Sequence, residues 1–254
     1  MQARHRRRRR IPLAAIVGAL AVTAGALALA LKPGPARPAP NVARVAGPAP
    51  KLTPRSKPSP DGGPEVPGNA VAFARAEGVE LYLPAPDPIL VAYHEASYHT
   101  AAAMTPLGTL RRNANRTKFE APERTPGPDF IVMSSRGRPT PATSAADVVL
   151  PRRTRLHSPV TGRVVKAKRY RLYGAYRDWR VEIAVAGHPG VRVVLIHLDG
   201  VRVRRGDGVS ATLSVIGRPR VLPFGSQVDD YENGGDPHVH IEIKKPPQKA
   251  ASPN

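Results

Sequence analysis

The chain has 254 residues, with 39 lysines and arginines against 19 acidic residues, 30 prolines and no cysteine. Without cysteine there is no disulfide, thiol nucleophile or thiolate-ligated metal, so any metal site must use histidine or carboxylate ligands. The formal charge of +20 suits a nucleic acid, a negatively charged membrane or a polyanionic wall, but aromatic residues make up only 5% of the sequence. That low content argues against single-strand recognition by base stacking.

The N-terminus combines a run of arginines with an apolar stretch. Six arginines lie within the first ten residues, and residues 11–31 carry no charge. A helix of that length spans roughly 31 Å, which matches the ~30 Å hydrocarbon core of a bilayer. Residues 1–31 are therefore predicted to form a signal anchor, with the arginines in the cytoplasm and the rest of the chain exported, which removes most of the case for a nucleic-acid partner. A signal peptide cleaved after Ala30 is the alternative, because Ala28 and Ala30 have the spacing of a cleavage site.

The composition changes twice after this segment. Residues 32–69 contain eleven prolines and almost no large apolar side chain, which predicts an extended, partly polyproline-II linker. Beyond it, short runs of valine, isoleucine and leucine are broken by glycine, proline and aspartate. Such spacing is typical of an all-β sandwich or barrel. Strands are predicted near residues 130–133, 146–150, 163–168, 180–185, 191–198, 214–216 and 238–244.

The β core is predicted to occupy residues 128–247, followed by a short tail at 248–254. Residues 70–127 lack such a clear pattern and are predicted to be an N-terminal extension packed against the core. Only residues 101–110 in this extension show any sign of helical periodicity.

The most informative segment is the predicted last strand, because its residues alternate strictly between apolar and polar. One face carries Val239, Ile241 and Ile243, and the other carries His238, His240, Glu242 and Lys244. Two histidines at this spacing point the same way, about 6.7 Å apart. One imidazole could bind a metal ion while the other faces the bound water, although a polar sheet face that happens to carry two histidines is the simpler alternative.

A third histidine, His197, stands near the end of the hydrophobic run 191–198. A histidine in such a place is more often a satisfied core residue than a functional one. Three histidines on strands of one small β domain are harder to dismiss, and together they favour a functional site.

At this point the sequence resembles the lysostaphin/LytM-type zinc metallopeptidases, which cleave peptidoglycan. The resemblance covers roughly residues 130–245 and rests on the order and spacing of short segments that end in the His-x-His pair. These segments are 145–149, 158–165, 194–198, 203–209, 215–217 and 237–243. The resemblance implies an all-β LytM-like core of the duplicated hybrid motif type.

The family's functional residues can be carried over by position. The resemblance implies that Asp147 and His240 are ligands of Zn²⁺, and that His197 and His238 are the catalytic pair that moves a proton and stabilises the oxyanion. Three protein ligands would leave an open position on zinc for water.

The sequence departs from the family at the first metal ligand. The family has His-x-x-x-Asp, but the residue four before Asp147 is Thr143, and threonine is a poor zinc ligand. Residues that could replace the missing ligand are His94, His99 and His157. His94 is followed by Glu95, but the pair is not a His-Glu-x-x-His zinc motif, because Tyr98 stands where the second histidine would be. The segment around His94 could still complete a site by folding over the β core.

These observations leave competing functions open. The favoured hypothesis is a degenerate, non-catalytic LytM-type domain outside the cell, which binds peptidoglycan or another anionic wall polymer, or regulates a wall hydrolase. The alternative is a zinc-dependent peptidoglycan endopeptidase with an altered ligand set. A third is an exported polyanion-binding protein that makes no use of the groove.

Overall fold

The computed structural model describes residues 68–233 and 235–245. The predicted anchor, most of the predicted linker and the predicted tail lie outside these residues. Within them, no helix has the length and apolar character needed to cross a bilayer. The regular secondary structure of these residues is almost entirely β, as the sequence predicted, and its single helical element is a short 3-10 helix at Gln227–Asp230.

A nine-stranded sheet positions the candidate site. Neighbouring strands in it are antiparallel except at one edge, where β6 is parallel to both of its neighbours. In spatial order the strands are β13 (Gly208–Val209), β9 (Gly162–Leu172), β10 (Tyr176–Val185), β11 (Arg192–Ile196), β15 (His238–Lys244), β7 (Ala145–Val149), β3 (Leu90–His94), β6 (Asp129–Val132) and β5 (Thr109–Asn113).

Two smaller sheets accompany the large one. The first has the order β2 (Val79–Tyr82), β1 (Ala72–Ala76) and β4 (Thr105–Pro106). The second has the order β12 (Leu198–Asp199), β14 (Val215–Pro219) and β8 (Leu156–His157).

The two faces of the large sheet differ in chemistry along its central strands. The side chains of Val239, Ile241 and Ile243 on β15 are fully buried in the main hydrophobic core. Neighbouring strands contribute alternate residues to the same core, such as Val193 and Leu195 of β11. The predicted alternation of β15 is therefore confirmed, and the intervening polar residues project from the opposite face.

The seven predicted strands all appear, with ends that shift by a few residues. The predicted extension differs more from expectation. Its strand β3 lies inside the large sheet, paired with β7 on one side and β6 on the other, so the sheet crosses the expected boundary between residues 127 and 128. Residues 101–110 are not helical and instead form a β-bridge at Ala101, strand β4 and the start of β5.

Candidate metal centre

Three neighbouring strands bring His94, Asp147 and His240 together. Asp147 of β7 lies directly opposite His240 of β15 and, on its other side, opposite Ala92 of β3. His94 is two residues beyond Ala92, so it shares the same face and reaches Asp147 diagonally past a small side chain. His94 Nε2 is 3.1 Å from Asp147 Oδ2, and His240 Nδ1 is 2.8 Å from Asp147 Oδ1. One ligand atom from each residue lies within 4.8 Å of the others, and all three residues are buried.

The hydrogen bonding of His94 leaves one ring nitrogen free. Its Nδ1 is 3.0 Å from the backbone oxygen of Glu95, and a carbonyl oxygen only accepts, so Nδ1 must carry the proton in the neutral ring. The opposite nitrogen, Nε2, is buried and has no hydrogen-bond partner of suitable geometry. A buried imidazole nitrogen that faces a carboxylate, while the other ring nitrogen is held by a backbone oxygen, is the arrangement of a metal ligand whose orientation is fixed by its second nitrogen.

His240 lies between two carboxylates. Its Nδ1 faces Asp147 and its Nε2 is 3.1 Å from Glu242 Oε1. Burial by itself would lower the pKa of His240, but the hydrogen bonds with Asp147 and Glu242 raise it to about 9. A metal ion in place of the Nδ1 proton would leave the Nε2–H bond to Glu242 intact, giving a carboxylate–histidine–metal arrangement. Two imidazoles and one carboxylate are also a donor set that Zn²⁺ uses in catalytic sites.

Glu242 is therefore expected to strengthen metal binding without touching the ion. The conservative variant Glu242→Gln keeps the size of the side chain but replaces the anion that accepts the His240 proton with a neutral amide. We expect zinc affinity to fall by roughly 10- to 100-fold, the usual effect of removing an outer partner of a ligating histidine. Competition with a chromogenic chelator measures it, and an unchanged affinity would show that Glu242 does not act through His240.

Thr143 does not occupy the vacant ligand position that the sequence suggested. It is buried, its backbone oxygen accepts a hydrogen bond from Met104, and it is not among the residues that line the cavity around the cluster. The third group beside Asp147 and His240 is His94 from the predicted extension. His99, by contrast, is exposed, and His157 lines a separate pocket.

This placement implies that restoring the family motif at position 143 would not improve metal binding. Thr143→His would insert a large ring at a position that is only 4% exposed, while His94 already lies beside Asp147 and His240. We expect no gain in zinc affinity and a loss of about 1–3 kcal/mol of stability from overpacking. Zinc titration and thermal unfolding of the variant measure both, and a clear rise in affinity would contradict the assignment of His94.

His197 is held beside the cluster by a buried carboxylate that the sequence did not single out. Its Nδ1 donates to Asp178 Oδ2 over 2.9 Å, and the same carboxylate accepts the backbone N–H groups of His197 and Leu198. His197 has a φ of 62°, an uncommon conformation for a histidine that these bonds help to hold. Burial would raise the pKa of Asp178, but the hydrogen bond and charge of His197 lower it overall. Asp178 therefore stays ionised, and Nε2 of His197 remains available to the cavity.

His238 completes a row of imidazoles along the site. Its ring lies edge-on to His197, with centroids 5.1 Å apart, and its Nε2 is 4.0 Å from Asp147 Oδ2. Burial lowers the pKa of His238 to about 4, although the charge of Asp147 opposes the shift. The ring is thus neutral near pH 7 and can accept a proton.

A cavity of about 540 Å³ opens over these side chains. His94, Asp147, His240, His197 and His238 all line it, and the hairpin between β9 and β10 contributes Arg171 and Tyr173. The structure therefore gathers Asp147, His197, His238 and His240, and brings His94, one of the three candidates for the missing ligand, beside them. It adds Asp178 and Glu242, of which Glu242 had a signal in the sequence, since it shares the polar face of β15 with His240.

Comparisons with known proteins give matches among solved structures only. No model of a known protein family matches the sequence, and no curated protein does. Lysostaphin matches with 19% identity over 42% of this chain and 37% of its own, at a TM-score of 0.31. A zinc-containing peptidase from Vibrio cholerae matches with 21% identity over 43% of this chain and 29% of its own, at a TM-score of 0.30.

A mutant of the catalytic domain of the prophage-encoded M23 protein EnpA from Enterococcus faecalis matches with 18% identity. That match covers 60% of this chain and 87% of the other, at a TM-score of 0.30. The chain thus spans less than half the length of lysostaphin and of the Vibrio peptidase. Proteins of the lysostaphin/LytM type are among the solved structures to which this chain is similar, each over part of its length.

Proposed function

We propose that this protein is a zinc peptidase of the LytM type that hydrolyses peptide bonds in peptidoglycan, with His94, Asp147 and His240 as its metal ligands. The observation that carries the proposal is the position of His94: one ligand atom from each of His94, Asp147 and His240 lies within 4.8 Å of the others, and all three residues are buried. In this proposal His94 supplies the ligand that the sequence lacks at position 143. The main reason to expect a non-catalytic domain was that missing ligand, so the alternative hypothesis of an altered ligand set is now the better supported one.

Zn²⁺, when bound, supplies a Lewis acid that polarises a substrate carbonyl and lowers the pKa of water. Proton transfer and stabilisation of the carbonyl oxygen are then left to the side chains of this chain. The imidazoles of His238 and His197 lie beside the cluster, where they can take up a proton from water and return it to the leaving amine. Asp178 accepts the Nδ1–H of His197, which leaves Nε2 facing the cavity. Once Nε2 has taken up a proton, the Asp178 carboxylate stabilises the positive ring, and Nε2–H can donate to the carbonyl oxygen.

The location of the reaction is part of the proposal. The arginine run and the apolar residues 11–31 support a single-pass anchor with the β domain outside the cytoplasmic membrane. The proline-rich residues 32–69 would then give the domain reach into the wall, up to about 120 Å if fully extended at ~3.1 Å per residue. Peptidoglycan is the proposed substrate and binding partner, and another wall hydrolase is a second proposed partner.

The test is metal content and hydrolysis measured on the same preparation. We expect the full chain to retain about one zinc ion after dialysis and to release soluble fragments with new amino termini from purified peptidoglycan. A chelator should stop the release, and added zinc should restore it. A zinc-loaded, folded protein that releases nothing from peptidoglycan would contradict the proposal. The non-catalytic binding role would then be the better supported hypothesis.

A further inference from the structure

One side of the cavity is formed by the loop after β6, at residues 135–138, which carries two arginines. Arg136 and Arg138 both line the cavity, and Arg171 and Arg180 line it from the β9–β10 hairpin. Four guanidinium groups therefore surround a site whose own acidic residues, Asp147 and Glu242, already face histidines. These two carboxylates therefore do not neutralise the positive charge of the rim.

The loop is rigidly held by the residue that follows His94. The carboxylate of Glu95 is 1% exposed. Its Oε2 accepts the backbone N–H groups of Arg136 and Arg138, each over 2.9 Å, and its Oε1 accepts from Ser135 Oγ over 2.6 Å. Glu95 is buried and adjacent to a proposed metal ligand, so these bonds fix the backbone at the two arginines relative to His94.

The four arginines differ in whether a carboxylate of the protein already pairs with their charge. Arg180 donates to the buried carboxylate of Glu182 over 2.7 Å. Within the part of the chain that the structure describes, no carboxylate forms an ion pair with Arg136, Arg138 or Arg171. Arg138 donates through one terminal nitrogen to the backbone oxygen of Glu95, and Arg136 donates only through Nε, to Gln227 Oε1.

The two terminal nitrogens of Arg136 therefore remain as a planar, two-pronged donor at the cavity. A guanidinium in this state matches a carboxylate with two parallel hydrogen bonds. From the arginine-lined rim we infer that the peptide substrate carries a free carboxylate close to the scissile bond, and that Arg136 binds it. This inference rests on the proposed peptidase function and adds its substrate class. The carboxylate can be the C-terminus of the peptide or an acidic side chain, since the two present the same group.

The test distinguishes carboxylate binding by Arg136 from carboxylate binding by the metal. It uses the full chain without zinc, because that form cannot hydrolyse the peptide and has no metal to attract a carboxylate. Isothermal titration compares acetyl-tetraalanine with its C-terminal amide, and acetyl-Ala-Ala-Glu-Ala-amide with the glutamine analogue. We expect the acid of at least one pair to bind about tenfold more tightly than its neutral counterpart, as one charge-assisted bidentate contact would give. The pair that shows the preference identifies the source of the carboxylate.

Two variants complete the experiment. Arg136→Gln should abolish the preference, while Arg205→Gln, which removes the same charge from an exposed turn outside the cavity lining, should leave it unchanged. No preference in either pair, or a preference that survives Arg136→Gln, would overturn the inference. A preference that depends on Arg136, in a protein whose zinc-loaded form does not cleave peptidoglycan, would support the carboxylate site and refute the hydrolase.

Discussion

Replacing His94 with glutamine is expected to lower zinc affinity by at least about 100-fold, which corresponds to ~2.7 kcal/mol at 1.4 kcal/mol per tenfold. His94 contributes the one imidazole nitrogen of the cluster that is buried without a hydrogen-bond partner. Its loss leaves an aspartate and one histidine, too few ligands for a tetrahedral site that also holds water. Glutamine can still donate to the backbone oxygen of Glu95, so the fold around the site should be kept. Equilibrium competition with a chelator measures the affinity, and peptidoglycan release should fall with it.

His99 provides the matched control for this experiment. It lies five residues further along the same segment but is exposed, so His99→Gln removes an imidazole without touching the cluster. We expect it to bind zinc as the wild type does. Equal loss in both variants would indicate a general effect on the segment. Full zinc occupancy in folded His94→Gln would show that another residue completes the site, and the proposed ligand set would then be wrong.

The sequence was sufficient for the parts of the site that depend on local pattern. The alternation of residues 238–244 correctly predicted which side chains of β15 enter the core, because a strand places successive residues on opposite faces. The same alternation put His238, His240 and Glu242 on one polar face. The resemblance to the LytM family, which depends on short segments in a fixed order, pointed to Asp147 and His197 beside them.

The third ligand could not be found in this way, because it depends on pairing between distant segments. His94 and Asp147 are 53 positions apart in the sequence, and only the register of β3 on β7 brings them together. Residues 90–94 are a short apolar run with a histidine at its end, a pattern that fits many buried strands. Nothing in that pattern says which strand will be its neighbour, so His94 was one of three candidates without motif support.

Asp178 was missed for a related reason. It stands in a polar stretch of the β9–β10 hairpin, and its link to His197 follows from the register of β10 on β11, where Val181 faces Leu195. A slip of one residue in that register would turn Asp178 to the other face of the sheet. The register is set by the connection between the two strands and by the core residues of both, which a search for catalytic motifs does not weigh.

Asp178→Asn is expected to lower kcat by roughly 10²- to 10⁴-fold, the usual range for losing a positioned acid–base group, while zinc affinity changes little. Asp178 contacts none of the three proposed ligands, and its carboxylate serves His197 through a 2.9 Å hydrogen bond. An amide in its place no longer stabilises the protonated ring and can present its NH₂ group to Nδ1, which would move the proton to Nε2, the nitrogen that faces the cavity.

A large loss of kcat with little change in zinc affinity would distinguish a role of Asp178 in catalysis from a purely structural one. Asp178 also accepts bonds from Tyr170 and from the backbone of Trp179, so the variant should lose some stability, about 1–3 kcal/mol for buried groups left without an acceptor. Tyr170→Phe serves as the control, because it removes one of those bonds without changing the partner of His197. We expect the control to keep most of its kcat at a temperature where both variants are folded. If Asp178→Asn retained wild-type kcat with zinc bound, His197 would not be a proton-transfer or oxyanion-stabilising group, and the catalytic role would fall to His238 alone.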